Sequence, residues 1–218
     1  MIKPLGDSGI IIYFDNEISK NVLSKVHSLK IHIEDTDIKG IDEIVTSYNA
    51  LAVYYDPMIL TYADIKNEIE KLLGKECSES ESYEIFNVPV FYEGEDLGDV
   101  SKFTGLSKEE IISLHTEAIY TVYMIGFSPG FPYLGGMNKK LATPRREVPR
   151  LKIEAGSVGI AGEQTGIYSV DSPGGWQIIG KTPIKLFDIN TDEAVLLKSN
   201  MRLKFYQISE SEYLEWEC

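Results

Sequence analysis

The sequence predicts an α+β protein in two parts, an αβ-sandwich over residues 1–80 and a β-barrel or sandwich over residues 81–218. Three observations carry this. Residues 1–73 alternate strand-like and helix-like pieces. Residues 74–82, GKECSESES, are polar, acidic and free of aliphatic side chains, the composition of a domain boundary. From residue 120 onward the chain breaks into short β-rich runs punctuated by Gly and Pro.

In order along the chain, residues 9–14 (GIIIYF) are β-rich. Ile18, Val22, Val26 and Leu29 then recur at helical spacing, and residues 51–55 form a second strand-like run. Thr61 and Asp64 make a capping box in front of Ile65, Ile69, Leu72 and Leu73, which marks the start of a second helix. Beyond the boundary, Ser107 and Glu110 make another box, and Ile111, Leu114, His115 and Ala118 share the face behind it. The strand-like runs that follow are YTVYMI, GSVGIAG, GIYSV, WQIIG, IKLFDI, AVLLK and RLKFYQI.

Composition excludes several classes. A net charge of −13 argues against nucleic acid as a partner, because phosphate backbones require a basic face. No 18-residue apolar run and no basic-then-apolar N-terminus occurs, so neither a membrane span nor a secretory leader is expected. Cys77 and Cys218 lack metal spacing and a plausible bridge, which fits a reducing, cytoplasmic compartment. His27, His32 and His115 do not form a ligand cluster, and no metal is expected.

Two catalytic patterns fail their context. Gly175 to Thr182 spells G-x-x-x-x-G-K-[ST], the phosphate-binding loop. Such a loop leads into a helix beginning near its Lys. Here Pro183 disfavours the α conformation at Thr182, and the downstream residues alternate like a strand. Gly126 to Gly130, GFSPG, satisfies G-x-S-x-G. The residue after that serine should donate an oxyanion-hole N–H, but Pro129 has none, and no histidine follows in the chain.

The stretch from Gly126 to Lys181 joins glycine turns to single aromatics, the makings of a small-molecule site on loops of a rigid barrel. Lys139, Lys140, Arg145, Arg146, Arg150 and Lys152 form a basic island with only Glu147 nearby. It suits a carboxylate or phosphate, a solvated loop or a contact with another protein chain. His115, on the apolar face of its helix, is either a core histidine or a proton donor beneath the glycine loops, with Thr116 and Tyr123 as candidate companions.

At these residues the chain resembles the KipI/PxpB family. The resemblance rests on GFSPGFPYLGG, LATPRREVPR, GSVGIAGEQTGIYSVDSPGGWQIIGKTP and the His115–Thr116 pair. It implies a ferredoxin-like N-terminal domain and a cyclophilin-like C-terminal barrel. It also implies the PxpB component of an ATP-dependent 5-oxoprolinase, inactive alone. The partners would be a KipA/PxpC-type component and a PxpA-type component, with ATP used by the complex. The family is related to the carboxyltransferase part of urea carboxylase, but no MKM-like biotinyl site occurs, so no covalent biotin is expected. Carried over by position, the resemblance implies His115 as the catalytic group, with Arg145, Gln164, Thr165, Ser172, Gly174, Gly175 and Trp176 binding substrate or phosphate. Lys181 stands where arginine is expected and Glu154 where proline is usual. Some relatives inhibit a sporulation histidine kinase without chemistry, and others carry a urea or allophanate label; both alternatives stay open at this point.

Overall fold

The computed structural model describes residues 1–17, 19–75 and 84–216. Ile18, both cysteines and most of the expected boundary at 74–82 lie outside the described residues. The chain divides into two compact units, Met1–Ser82 and Tyr83–Cys218.

The first unit contains β1 (Ile2–Pro4), β2 (Gly9–Tyr13), α1 (Lys20–Thr36), β3 (Ile41–Thr46), β4 (Ala50–Tyr55) and α2 (Tyr62–Leu72). Its sheet runs β1-β2-β4-β3 with every pair antiparallel. Ile10 and Ile12 on β2 and Leu51 and Val53 on β4 share one core with Val22, Val26, Leu29 and Ile33 of α1 and Ile65 and Ile69 of α2. Both helices therefore bury their apolar stripes against this sheet. Ser19 caps α1 by accepting from Val22 N–H at 3.2 Å. The expected box at α2 is present in both directions: Thr61 N–H donates to Asp64 Oδ2 at 3.1 Å, and Asp64 N–H to Thr61 Oγ1 at 3.2 Å.

A ferredoxin-like domain runs β-α-β-β-α-β. Here β2-α1-β3-β4-α2 follows that order, but the fourth strand of the sheet is β1, which precedes the series. The outer edge of β2 is already hydrogen-bonded by β1, through Ile2–Ile12 and Pro4–Ile10. A strand arriving after α2 would find that edge occupied.

The second unit opens with β5 (Phe86–Val90), α3 (Leu97–Thr104) and α4 (Lys108–Glu117), the last started by the Ser107–Glu110 box. Then come β6 (Tyr120–Ile125), β7 (Pro132–Gly135), β8 (Arg150–Ile153), β9 (Ser157–Ala161), β10 (Gln164–Ile167), β11 (Ser172–Gly174), β12 (Gln177–Lys181), β13 (Arg202–Gln207) and α5 (Glu210–Trp216). Seven strands form one sheet in the order β12-β9-β10-β7-β6-β13-β5, parallel only between β13 and β5.

The two edges of that sheet nearly meet. Phe91, just past β5, exchanges two backbone hydrogen bonds of 2.9 Å with Lys181 at the end of β12. Gly94 N–H and Asp96 N–H add bonds to the carbonyls of Ile179 (3.2 Å) and Ile178 (2.9 Å). The backbones approach so closely that a Cβ on Gly94 would lie 2.4 Å from Ile178 O, and one on Gly180 would lie 2.7 Å from Phe91 O. Glycine at both positions lets the barrel close. Val88, Val90, Tyr120, Val122, Leu134, Val158, Ile160, Ile179, Leu203 and Phe205 fill the interior, joined by Leu97 and Val100 of α3 and Ile111 of α4.

Two expected strands are absent from the ladder. IKLFDI and AVLLK meet only at the isolated Phe187–Val195 bridge. Pro183 and the turn at residues 189–194 leave them too short and irregular to pair along their length. The pair β8 and β11 forms a separate two-stranded sheet. No helix among the described residues is long and apolar enough to cross a membrane.

Candidate functional site

Strand β10 divides the predicted site residues between two faces of the barrel wall. Successive side chains on a strand point to opposite sides. Thr165 pairs with Leu134 and Ile160, both core residues, and points inward. Gly166 pairs with Tyr133 and faces outward, where a Cβ would lie 3.0 Å from the Phe131 ring. Gln164, two residues before it, shares that outer face.

Inside, His115 is fully buried and both its ring nitrogens have partners. Nδ1 lies 2.7 Å from the Tyr92 hydroxyl, and Nε2 lies 3.0 Å from Thr165 Oγ1. Thr165 has one hydroxyl proton and donates it to the Gly159 carbonyl at 3.0 Å. It therefore accepts from His115 Nε2–H, which leaves Nδ1 to accept from Tyr92 O–H. The ring stacks on Phe205 at 4.5 Å between centroids, and the Tyr120 hydroxyl donates to the His115 carbonyl at 2.8 Å. Burial pushes the imidazole pKa down to about 3, so His115 is neutral through the physiological range. Its geometry is that of a satisfied core histidine, with both ring nitrogens engaged by protein hydroxyls. The expected companions stand elsewhere: Thr116 Oγ1 donates to the Ile112 carbonyl of its own helix at 2.8 Å, and the Tyr123 ring lies against Gly135.

Outside, a second apolar cluster covers the wall. Phe131, Tyr168, Trp176, Ile153, Ala161 and Ile178 are buried together, with Tyr133 against them. Ring centroids lie 4.9 Å apart for Phe131–Tyr133, 5.2 Å for Phe131–Tyr168 and 5.4 Å for Phe131–Trp176. Gly159 makes room for Trp176, whose Cβ would be 3.1 Å from an added methyl. Gly174 lies over the Tyr168 hydroxyl, 2.3 Å from where its own Cβ would stand. Exposed Arg145 sits near enough that its charge opposes the upward push of burial on both the Tyr133 and Tyr168 phenols. Arg145 has no ion pair among the described residues.

The loop that carries Arg145 is tied down by a buried carboxylate. Asp96, 1% exposed, accepts through Oδ1 from Arg146 Nη1 (2.6 Å) and Arg150 Nη2 (2.7 Å). Its Oδ2 accepts from the Ile178 backbone N–H at 2.7 Å. Burial alone would raise this carboxyl's pKa, but the Arg150 hydrogen bond, the Ile178 N–H and the two guanidinium charges together hold it below the ordinary carboxylate range. Arg146 N–H also donates to the Gly175 carbonyl at 2.7 Å. Trp176, 5% exposed, is thereby flanked by two anchored residues.

Of the predicted residues, Arg145, Gln164, Gly174, Gly175 and Trp176 gather on or beside the outer aromatic face, while His115 and Thr165 belong to the interior. Ser172, on β11 opposite Ile153, has a buried hydroxyl with no hydrogen-bond partner. Half of the basic island is paired: Arg146 and Arg150 share Asp96, and Lys152 pairs with Asp171 at 2.8 Å, while Lys139, Lys140 and Arg145 have no ion pair among the described residues. Lys181 lies over the Tyr213 ring at 4.4 Å. Most of the phosphate-loop pattern is the ladder strand β12, paired with β9; within it the Ile178 N–H donates to Asp96 and the Lys181 N–H to the Phe91 carbonyl. GFSPG is the turn between β6 and β7, not a strand-to-helix elbow, and Phe127 within it has φ 71°. Asp96, Tyr92, Tyr133 and Tyr168 escaped sequence reasoning. The only local signal for Asp96 was its place in an acidic turn, and its partners lie at least fifty positions away. A cavity of about 500 Å³ opens in the first unit between α1 and the end of α2, beside Asn21, Lys25 and Leu73, and no predicted site residue lines it.

A two-unit α+β chain, with a nearly closed barrel and an exposed arginine near an outer aromatic cluster, defines the structural class. Residues 1–197 match the family described as carboxyltransferase domain, subdomain C and D, and the chain belongs to that family. It is similar to the B subunit of 5-oxoprolinase from Bacillus subtilis (strain 168), with 42% identity over 97% of this chain and 94% of that one. The protein of the same name from Haemophilus influenzae (strain ATCC 51907 / DSM 11121 / KW20 / Rd) is 47% identical over 77% of this chain and 79% of its own. Among solved structures, TTHA0988 superposes with a TM-score of 0.85 at 31% identity, covering 96% of this chain. This chain spans 41% of TTHA0988.

Proposed function

We propose that this chain is the PxpB-type component of a cytoplasmic, ATP-dependent 5-oxoprolinase, acting with PxpA-type and PxpC-type components to open 5-oxoproline to glutamate. The observation that carries the reading is 42% identity over nearly the whole chain to a protein named as the B subunit of 5-oxoprolinase. The outer face suits such a substrate. 5-Oxoproline has one carboxylate and one flat lactam ring; Arg145 offers the first a charge-assisted contact, and the half-buried Tyr133, backed by buried Tyr168 and Trp176, offers the second an apolar wall. The nearly closed barrel supports the cyclophilin-like description of the second unit. Neither the kinase-inhibitor reading nor the urea or allophanate reading is favoured by the relatives' names.

The lactam is an unstrained amide. Phosphoryl transfer from ATP to its carbonyl oxygen releases ADP; water then adds to the ring carbon, the C–N bond breaks as the nitrogen takes up a proton to give an acyl phosphate, and a second water hydrolyses that acyl phosphate to glutamate and phosphate. In this scheme the present chain binds and orients the ring and excludes water from one side of it. Its phosphate-loop pattern is a paired strand, so no nucleotide step is assigned here. The test is 5-oxoproline-dependent phosphate release from ATP by the purified chain, alone and with its PxpA-type and PxpC-type partners. Release only in the full mixture supports the reading, and no release in any mixture overturns it.

A further inference from the structure

We propose that Asp96 is a positioning residue for the Arg145 face, the element that holds the Arg145–Arg150 loop and Trp176 in register on the barrel wall. The inference rests on the proposed use of that face for substrate. Asp96 lies in the barrel-closing segment, is 1% exposed, and grips Arg146, Arg150 and the Ile178 backbone, each at least 50 positions away in the chain. Arg146 adjoins Arg145 and donates its backbone N–H to Gly175, the residue before Trp176. Arg150 starts β8, opposite Gly174 on β11. One carboxylate thus ties the loop carrying the exposed arginine to the backbone on either side of Trp176.

The other ties of this loop sit at its leading end, where Gln177 Nε2 donates to the Pro144 carbonyl at 3.0 Å and Thr143 exchanges backbone hydrogen bonds with Gly162. Val148 and Leu151, within and just after the loop, are 76% and 95% exposed and anchor nothing. Glu95 reaches Arg150 at 3.1 Å but is itself 77% exposed, a contact of small weight. The buried guanidinium atoms Arg146 Nε and Arg150 Nη1 have no hydrogen-bond partner, so both arginines depend on the Asp96 side for compensation.

The chain has two tryptophans, so Trp216→Phe leaves Trp176 as the sole tryptophan, excited selectively beyond the tyrosine band and read independently of activity. In that background, Asp96→Asn and the milder Arg150→Lys are compared by acrylamide quenching, with circular dichroism to confirm folding. Loosening of the loop predicts quenching of Trp176 raised about twofold by either variant. Unchanged quenching in folded variants overturns the proposal; if Asp96→Asn does not fold, Arg150→Lys decides. In the reconstituted complex, Asp96→Asn should raise KM for 5-oxoproline about tenfold with a smaller change in kcat. Added to Arg145→Ala, it should change KM less than about twofold, because it acts through Arg145. Full multiplication of the two effects overturns that linkage. A wild-type complex inactive on 5-oxoproline, with the quenching change intact, removes the substrate reading and leaves the clamp standing.

Discussion

His115 Nε2 and Thr165 Oγ1 lie 3.0 Å apart inside the barrel, joined by a hydrogen bond between two fully buried side chains. The pair ties α4 to β10, and Tyr92 completes the chain on the other side of the imidazole. Because Gln164, one residue earlier, faces outward, the wall of the barrel separates this polar relay from the Arg145 face. The buried relay and the proposed ligand face therefore lie on different sides of one strand, and they can be perturbed separately.

His115→Ala should lower stability by about 2–4 kcal/mol, from the cavity it leaves and from the orphaned Tyr92 and Thr165 hydroxyls. Arg145→Ala, at an exposed position, should change stability by less than about 0.5 kcal/mol while weakening 5-oxoproline binding by the complex. Urea unfolding of both variants, beside KM in the reconstituted complex, checks the division. A destabilised Arg145→Ala would contradict it.

The pH dependence follows from the same burial. The His115 pKa falls from 6.5 to about 3 on folding, so below pH 6.5 the unfolded chain binds a proton that the native state refuses. This contribution is complete above that pH and shrinks as the pH drops, by up to about 1.4 kcal/mol per unit. Unfolding free energies at pH 7, about 6 and about 5 should therefore fall more steeply for the wild type than for His115→Gln. Parallel slopes would remove the histidine as their source.

Barrel closure makes its own prediction. Gly94→Ala places a methyl 2.4 Å from backbone atoms of β12 and should cost about 2–3 kcal/mol, read as a lower Tm. Gly98→Ala, where an added Cβ meets nothing within 4 Å, is the matched control and should not lower Tm. Equal effects at the two positions would contradict the close approach.

Lys181 tests the phosphate-loop pattern directly. Its ammonium lies over Tyr213, so Lys181→Ala should cost only about 0.5–1 kcal/mol of stability and leave ATP-dependent turnover of the complex unchanged. Loss of turnover with an intact fold would return the lysine to the reaction.

Local chemistry made much of the fold legible in the residues alone. The capping boxes at Thr61–Asp64 and Ser107–Glu110 are complete within four positions, so both helix starts could be read directly, as could the strand at Tyr120–Ile125. Pro183 was enough to refuse a helix after Thr182. Tertiary structure decided what depends on distant partners. Asp96 meets Arg146 across 50 positions and Ile178 across 82, so its burial exists only once the barrel closes. The same closure set the strand register, which turned Thr165 inward to His115 and left Gln164 on the outer face with Tyr133. Sequence neighbours carry helix caps and chain breaks; a charge clamp and the two sides of a wall require the whole barrel, because only long-range pairing brings their parts together.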